Sequence, residues 1–577
     1  MPLIVRILPD EPAIDREFIY LIPDRLIDSL GGLSIELGTI VRVPLKGRKV
    51  RGWVTGIGVD PPPGVELQSV TKISGIGPPG SVLALAEWAS VRWVGTRPKF
   101  LRTASADRIV SFVPSAMENR PDIAALDSLS VEAFSRKKAV VRMGPNSDDW
   151  PLISAAVSFG SALILTPTVA QAKRVLLKLK RAGVDAALAQ RDWEKSAAGN
   201  VTVGTRAAAW APIPKVDSVL VLDEHDESYQ EEAAPTWNAR DVAIERARRD
   251  GSPWVVASSC PSLEMLTSGA PLLTMTRQAE RASWPTIEIA DRRVEAPSAG
   301  EWCSEPLIRA LRQGKRVVCV VNRKGRARFA YCGQCGELAR SEVTGQIMGL
   351  DKELLIDALS GETRPAVCAE CGSTRFRRVK LGVKGIAEEL AVVARREVIE
   401  VTSEDGPLPE KSDLYVGTEA VLHRVESTDI VAFLDFDQEL LAPRYRASEE
   451  AMALLVKAAR LVGRREKNGR IIVQTRVPDH PVLDAAYHSD PGRLARTELE
   501  ARQMLQQPPI ANWAIVSGSS AAEFMSRIGN AEGVEISSTV EGTWRLRSQD
   551  RQKLLNLLKD TERPPGRLRI EIDPLRA

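Results

Sequence analysis

The feature that most constrains the fold is an alternation of short, uncharged, β-branched runs with longer helical segments. Between about residues 130 and 300, runs at Ser161 to Leu165, Asn200 to Val203, Val219 to Leu222 and Trp254 to Ser258 alternate with helical segments such as Gln171 to Ala182 and Asp241 to Arg249. That pattern predicts a parallel α/β sheet covered by helices. A second set begins at Arg316 to Val321 and resumes with Asp413 to Val416, Ile430 to Leu434 and Gly469 to Gln474, which predicts a second lobe. Before them, Ile40 to Pro44 and Arg51 to Thr55 flank Gly47 as a hairpin in a β-rich region closed by a helical patch, Val82 to Val94. After Pro508 and Pro509 the chain returns to short strands around the helix Arg551 to Lys559. The expected fold class is multidomain α/β. A β-rich domain spans 1–105, a linker 106–130, a first α/β lobe 131–300, a second lobe 301–508 with an insertion at 330–380, and a small α+β domain 509–577.

At 577 residues the chain is too long for one core. Its formal net charge of +3 conceals basic clusters at Arg42 to Arg51, Arg323 to Arg328, Arg375 to Lys380, Arg460 to Arg470 and Arg545 to Arg569. Each alone reads as solvated surface, and together they favour a polyanion partner. The first twenty residues carry Asp10, Glu11, Asp15 and Glu17, which is incompatible with a secretory signal. The uncharged stretch Trp150 to Ala172 contains Pro151, Gly160 and Pro167, and reads as a helix followed by a buried strand rather than a membrane span. Of seven cysteines, four form the pairs Cys332/Cys335 and Cys368/Cys371. Two such knuckles can present four thiolates to one tetrahedral ion, a closed and therefore structural Zn²⁺ site in a reducing compartment. Cys260, Cys303 and Cys319 lack such a partner and are assigned to packing. A cytoplasmic protein is expected.

The run Val219 to Leu222 ends in Asp223, Glu224, His225 and Asp226, like the metal-binding end of a nucleotide-hydrolysing strand, yet no Gly-Lys-Ser/Thr sequence lies upstream of it. A P-loop holds phosphates with backbone N–H groups and one Lys. Taken in order, Phe18 to Pro23, Gly38 to Pro44, Gly204 to Arg206, Glu224 to Asp226, Tyr229, Ala239 to Asp241, Asn322 to Gly325, Gly417 and Thr418, Leu434 and Asp435, Gln474 and Thr475, Pro478, and His480 and Pro481 resemble the PriA family of primosomal replication-restart helicases. The resemblance implies an N-terminal DNA-binding domain, two RecA-like helicase lobes with a zinc-binding insertion, and a small C-terminal domain. The family has four Cys-x-x-Cys pairs on two zincs. The retained pairs resemble the outer two, which implies one ion.

The departures touch each nucleotide motif. Arg142 to Pro151 stands where the family has its Gly-rich Lys-Thr loop, and Asp148 and Asp149 would repel phosphate. Leu222 occupies the position of the Mg²⁺-organising Asp. Ser258-Ser259-Cys260 replaces Ser-Ala-Thr, and Lys457 to Arg464 keeps one Arg of two, Arg464. Stabilising a transferring phosphoryl group needs these parts together, so ATP and Mg²⁺ are not expected as cofactors. Asp223, Glu224, His225 and Arg464 are relic candidates for catalysis, the acids being free to pair with Arg206 or Arg240. The family's acidic residue after the Phe is Ile19 here, and a basic residue further on is Gln68, which puts capture of a DNA 3′ end in question. Phe18, Tyr20, Gly38, Arg42, Arg48, Arg51 and Trp53 remain the DNA-binding candidates, with core packing the plain alternative for the aromatic residues.

Three readings follow. The first is a nucleoid-associated scaffold that binds forked or branched DNA and recruits primosome partners and single-strand-binding protein, as the resemblance implies. The second is an active ATP-dependent helicase with atypical motifs. The third is a zinc-stabilised protein-interaction module.

Overall fold

The computed structural model describes residues 3–28, 34–61, 63–115, 126–294, 302–321, 330–345, 347–357, 360–378, 383–401, 412–465, 468–540 and 542–576. The basic cluster 323–328 and the motif from Asn322 to Gly325 lie outside them.

The two apolar alternations form two all-parallel sheets. The first has seven strands in the order Leu272–Thr274, Lys138–Arg142, Trp254–Ser258, Ser218–Leu222, Ala162–Leu165, Val201–Gly204 and Ala186–Leu188. Ser218–Leu222 lies in its middle and is buried along its whole length, which is why its sequence is apolar without a break from Val219 to Leu222 rather than at alternate positions. The stretch from Trp150 forms the helix Trp150–Val157 and the strand Ala162–Leu165, as its composition predicts. The second sheet has six strands in the order Thr286–Asp291, Arg470–Thr475, Ile430–Phe433, Val317–Val320, Leu414–Gly417 and Ile399–Val401.

Thr286–Asp291 pairs in parallel with Arg470–Thr475 over six residues, so the second lobe begins before residue 300. The boundary expected from sequence is placed too late. That strand carries Glu288 and Asp291 and no long apolar run, because it is an edge strand with one neighbour.

The N-terminal sheet is antiparallel, ordered Phe18–Ile22, Leu3–Pro9, Arg48–Ile57, Ile40–Leu45 and Lys72–Gly75. One face buries Val5, Ile7, Tyr20, Val41, Val43, Val50 and Val54. From the opposite face Leu8, Ile40 and Trp53 pack with the helices Gly80–Arg92 and Arg97–Ala104. The same core takes in Trp210, Tyr229 and Trp237 of the first lobe, and Ala514, Phe524, Leu546 and Leu558 of the C-terminal domain. The helices at 80–104 thus join three parts of the chain. The C-terminal sheet is antiparallel, ordered Glu535–Val540, Thr543–Ser548, Asn512–Ser517 and Arg569–Ile572, with helices Ala521–Ile528 and Arg551–Asp560 on its buried face. Among the described residues no helix is long and apolar enough to cross a membrane.

Candidate functional site

The strand Lys138–Arg142, separated from Ser218–Leu222 by Trp254–Ser258, delivers its loop to the carboxyl edge of the first sheet, where a phosphate-binding loop would sit. The local chemistry is inverted. A helix N-terminus attracts anions because its first N–H groups have no intrahelical acceptor. Here the Trp150 N–H donates to Asp148 Oδ1 at 3.1 Å, and Pro151 brings no N–H at all. The helix supplies its own anion. Asp148 is also 3.3 Å from Lys178 Nζ. Burial, with the Asp223 carboxylate next in effect, pushes the Asp149 carboxyl up to about 6.

The carbonyls of this loop face the second lobe. Arg460, on the helix Ala447–Val462, donates from Nε to the Pro145 carbonyl at 3.1 Å. Its Nη1 lies 2.5 Å from Asp223 Oδ2, and Nη2 engages the other carboxylate oxygen, making a two-pronged pair across the interlobe cleft. Such forked pairing is the strong form of the Arg–carboxylate contact. Arg464 donates to the Asn146 carbonyl from Nε (3.2 Å) and Nη2 (3.0 Å), and Asn146 Nδ2 donates to the Ala459 carbonyl at 2.9 Å. Asp223 takes a positive φ of 53°, is 5% exposed, and is held below the ordinary carboxylate range by Arg460 against the opposing effect of burial.

Glu224 is bound just as closely within its own lobe. Arg240 Nη1 lies 2.9 Å from Oε2, the Ser262 N–H donates to Oε1 at 2.7 Å, and the Ser262 hydroxyl donates to Oε2 at 2.9 Å. No exposed edge is left to the Glu224 side chain. His225 Nδ1 is 2.7 Å from Ser258 Oγ, and burial lowers its pKa, keeping it neutral. Asp226 caps the short turn Glu227–Tyr229 and stands 3.7 Å from Lys457 Nζ of the second lobe. Arg206 does not join this run. It donates to the Ser228 and Gln230 carbonyls and pairs with Glu231 at 3.3 Å, so of the two expected partners only Arg240 serves the acidic segment. A further interlobe pair joins Arg446 to Glu264 at 2.7 Å. Beside these contacts opens a cavity of about 1550 Å³ lined by Glu224, Asp226, Arg240, Glu264, Thr418 and Lys457. Each of the five charged residues among them already has a partner of opposite sign.

Sequence reasoning passed over Arg460, which lies inside the segment Lys457 to Arg464. Its importance arises only when the two lobes meet, and no local spacing signals that. The paired cysteines were readable locally. All four Sγ atoms lie within 4.8 Å of one another, with Cys332–Cys371 and Cys335–Cys368 at 3.5 Å. Four ligands at ~2.3 Å around a tetrahedral zinc lie about 3.8 Å apart, so the donor set fits such an ion. Gly336 and Gly372, at φ of 79° and 71°, close the knuckles by donating to the Cys332 and Cys368 carbonyls. Cys303 and Cys319 are fully buried in the second-lobe core, and burial pushes the Cys303 thiol up to about 12. Cys260 is half-buried and borders the cavity.

In the N-terminal domain the aromatic candidates are largely structural. Trp53 is fully buried and its indole N–H donates to Ser105 Oγ at 2.9 Å, which corrects the expectation that it could stack on a base. Tyr20 is 4% exposed and donates to the Pro44 carbonyl at 3.0 Å. Phe18 is half-buried against the same core, with the Arg16 guanidinium 5.6 Å from its ring centroid. Gly38, at φ 91°, lies so close to Pro78 that a Cβ would fall 1.7 Å from the Pro78 carbonyl oxygen. Arg42 and Arg48 are exposed, Arg51 is half-buried, and Arg48 lies 3.8 Å from Glu11.

Residues 6–106 match the family model of the PriA 3′DNA-binding domain. The replication restart protein PriA of Bacillus subtilis is 25% identical over 398 residues, covering 62% of this chain and 49% of that protein. The replication restart protein PriA of Rickettsia conorii is 23% identical over 568 residues, covering 88% of this chain and 86% of the relative. The chain therefore spans about half the length of the first and most of the second. Among solved structures, the DUF1998 helicase MrfA bound to DNA and AMPPNP shows a loose likeness, at TM-score 0.34 and 12% identity over 69% of this chain and 62% of that one. The matched N-terminal domain and the long alignments agree with the order of the motifs, and along most of its length the chain is similar to PriA proteins.

Proposed function

We infer that this protein binds forked or branched DNA as a replication-restart scaffold, without hydrolysing nucleotide. The observation that carries the second half is the loop after Arg142. Its Pro145 and Asn146 carbonyls accept from Arg460 and Arg464, and the first N–H of the helix behind it, that of Trp150, is taken by Asp148. Carbonyls and carboxylates face the place where a triphosphate needs N–H donors and a Lys. Asp223 and Glu224, which would organise a metal and a water, are held by Arg460 and Arg240. A general base with no phosphate beside it has nothing to activate.

DNA binding rests on the N-terminal domain's family and on phosphate contacts, which need no nucleotide. Recruitment of primosome proteins and single-strand-binding protein is proposed from the family resemblance alone. The four cysteines would hold one zinc and stiffen the insertion that carries them. The test is binding of a synthetic fork over a salt series with hydrolysis assayed in the same samples. Fork binding that weakens steeply with salt and no DNA-stimulated ATP turnover are expected. Robust turnover abolished by Glu224→Gln would overturn the non-hydrolysing reading.

A further inference from the structure

The N-terminal sheet contains a row of like charges across three adjacent strands. Arg42 lies directly opposite Arg51 on one side and Lys72 on the other. Directly opposed residues of an antiparallel ladder project from the same face, and like charges placed so are destabilising. Lys49 follows on the same face, two residues from Arg51 and opposite Pro44. The row sits just beyond the part of the face covered by helices, where Ile40 and Trp53 are buried. It is on the reverse of the face that holds Tyr20.

Little in the fold offsets this charge. Neither Arg42 nor Lys72 has an ion-pair partner among the described residues, and both are exposed. Arg51 is half-buried, with Nε and Nη2 closed off from solvent and without a hydrogen bond. The nearest carboxylate oxygen, of Asp10, is 4.0 Å from Nε. That carboxylate is already engaged by Arg102, while Arg102 and Arg42 both add like charge beside Arg51. Asp107 is the other acid acting on it. A sheet that opposes three cations and leaves guanidinium donors unmade gives up stability.

We propose that the row Lys72, Arg42 and Arg51 is a phosphate-binding track for the backbone of duplex DNA. It rests on the DNA-binding reading above and adds to it a second, duplex-directed surface, separate from any pocket for a strand end. Neighbouring strands are about 4.8 Å apart, so three cations in a row span about 10 Å. Each DNA strand carries one phosphate per ~3.4 Å of axis, and successive phosphates also step around the helix, so the row meets about two of them on one strand. Contacts of this kind position the protein without reading bases.

The experiment uses the full chain and a blunt hairpin duplex with a 3′-phosphate, which offers no free 3′ hydroxyl. Affinity is measured over a salt series for the parent, for Arg42→Gln with Lys72→Gln, and for a charge-matched control, Lys173→Gln with Arg174→Gln, on an exposed helix elsewhere. Each lost phosphate contact lowers the slope of log K against log salt by about 0.9, so the row variant is expected to lose about 1.8 while the control keeps the parent slope. The row variant's unfolding midpoint should be unchanged or raised, because repulsion is removed. An unchanged slope in the row variant when the parent binds, or an equal loss in the control, would overturn the track alone. No salt-sensitive duplex or fork binding by the parent would sink the DNA-binding reading with it.

Discussion

Replacing Arg460 by Ala removes the central contact between the lobes. Asp223, 5% exposed, then loses its two-pronged partner and faces the Asp149 carboxyl with no cation between them. Truncating one member of a fully buried ion pair costs about 3–5 kcal/mol, whereas exposed pairs contribute about 0–1 kcal/mol. The Arg460 side chain is 35% exposed, so about 2–3 kcal/mol is expected. At 1.4 kcal/mol per factor of ten, that corresponds to roughly 30- to 140-fold more frequent local opening. The readout is native-state hydrogen exchange of the loop following Arg142 and of the helix Ala447–Val462, which reports local opening instead of a single global transition. Adding Asp223→Asn should recover most of the loss, since the stranded carboxylate is then gone. Exchange within about threefold of the parent in Arg460→Ala would show that the pair does not hold the lobes and would refute the reasoning.

Asp149→Asn should stabilise the protein near pH 7 by at most about 3 kcal/mol, from a folded pKa of about 6 against 3.8. Because the folded state binds the extra proton, the parent loses stability as pH rises from about 4 to 6. The gain in the variant should vanish below pH 4, and thermal melts across pH would show a flat difference if the carboxyl is not perturbed. Metal analysis should find one zinc per chain, and Cys368→Ser should release it and raise protease sensitivity within 330–378. Retention of a full equivalent would refute the four-thiolate site. Trp53→Ala should cost about 3–5 kcal/mol through cavity formation, with any loss of DNA affinity tracking the unfolded fraction. Normal stability with weakened DNA binding would restore the stacking role.

The central strands were legible because burial on both faces leaves unbroken apolar runs, as in Ser218–Leu222. The paired-cysteine knuckles were legible because their four thiols sit on two short local turns. Thr286–Asp291 escaped because an edge strand tolerates charge, and Leu272–Thr274, also at an edge, is too short to carry a pattern. Trp53 illustrates a different limit. Arg51 and Trp53 share one face of a strand, yet helices cover the second and leave the first half-exposed, and only tertiary packing decides where that cover ends. The degenerate loop was readable as a loss, but its replacement was not. Lys457 and Arg460 are spaced to share one face of a helix, and nothing in their sequence says that this face meets Asp226 and Asp223.

The shared core at residues 80–104 sets an order on biosynthesis. Arg92 waits for Asp573, 481 residues later, to form its 2.5 Å pair, and Arg563 donates to the Val94 carbonyl. Until the last strand, Arg569–Ile572, has left the ribosome, the shared core around Trp93 and the first-lobe helix Ala239–Asp250 lacks its final layer. Contacts of such high sequence separation delay completion of a core and prolong exposure of its apolar surface. A nascent chain stopped short of that strand would be a client for chaperones, whatever the state of its DNA-binding surface.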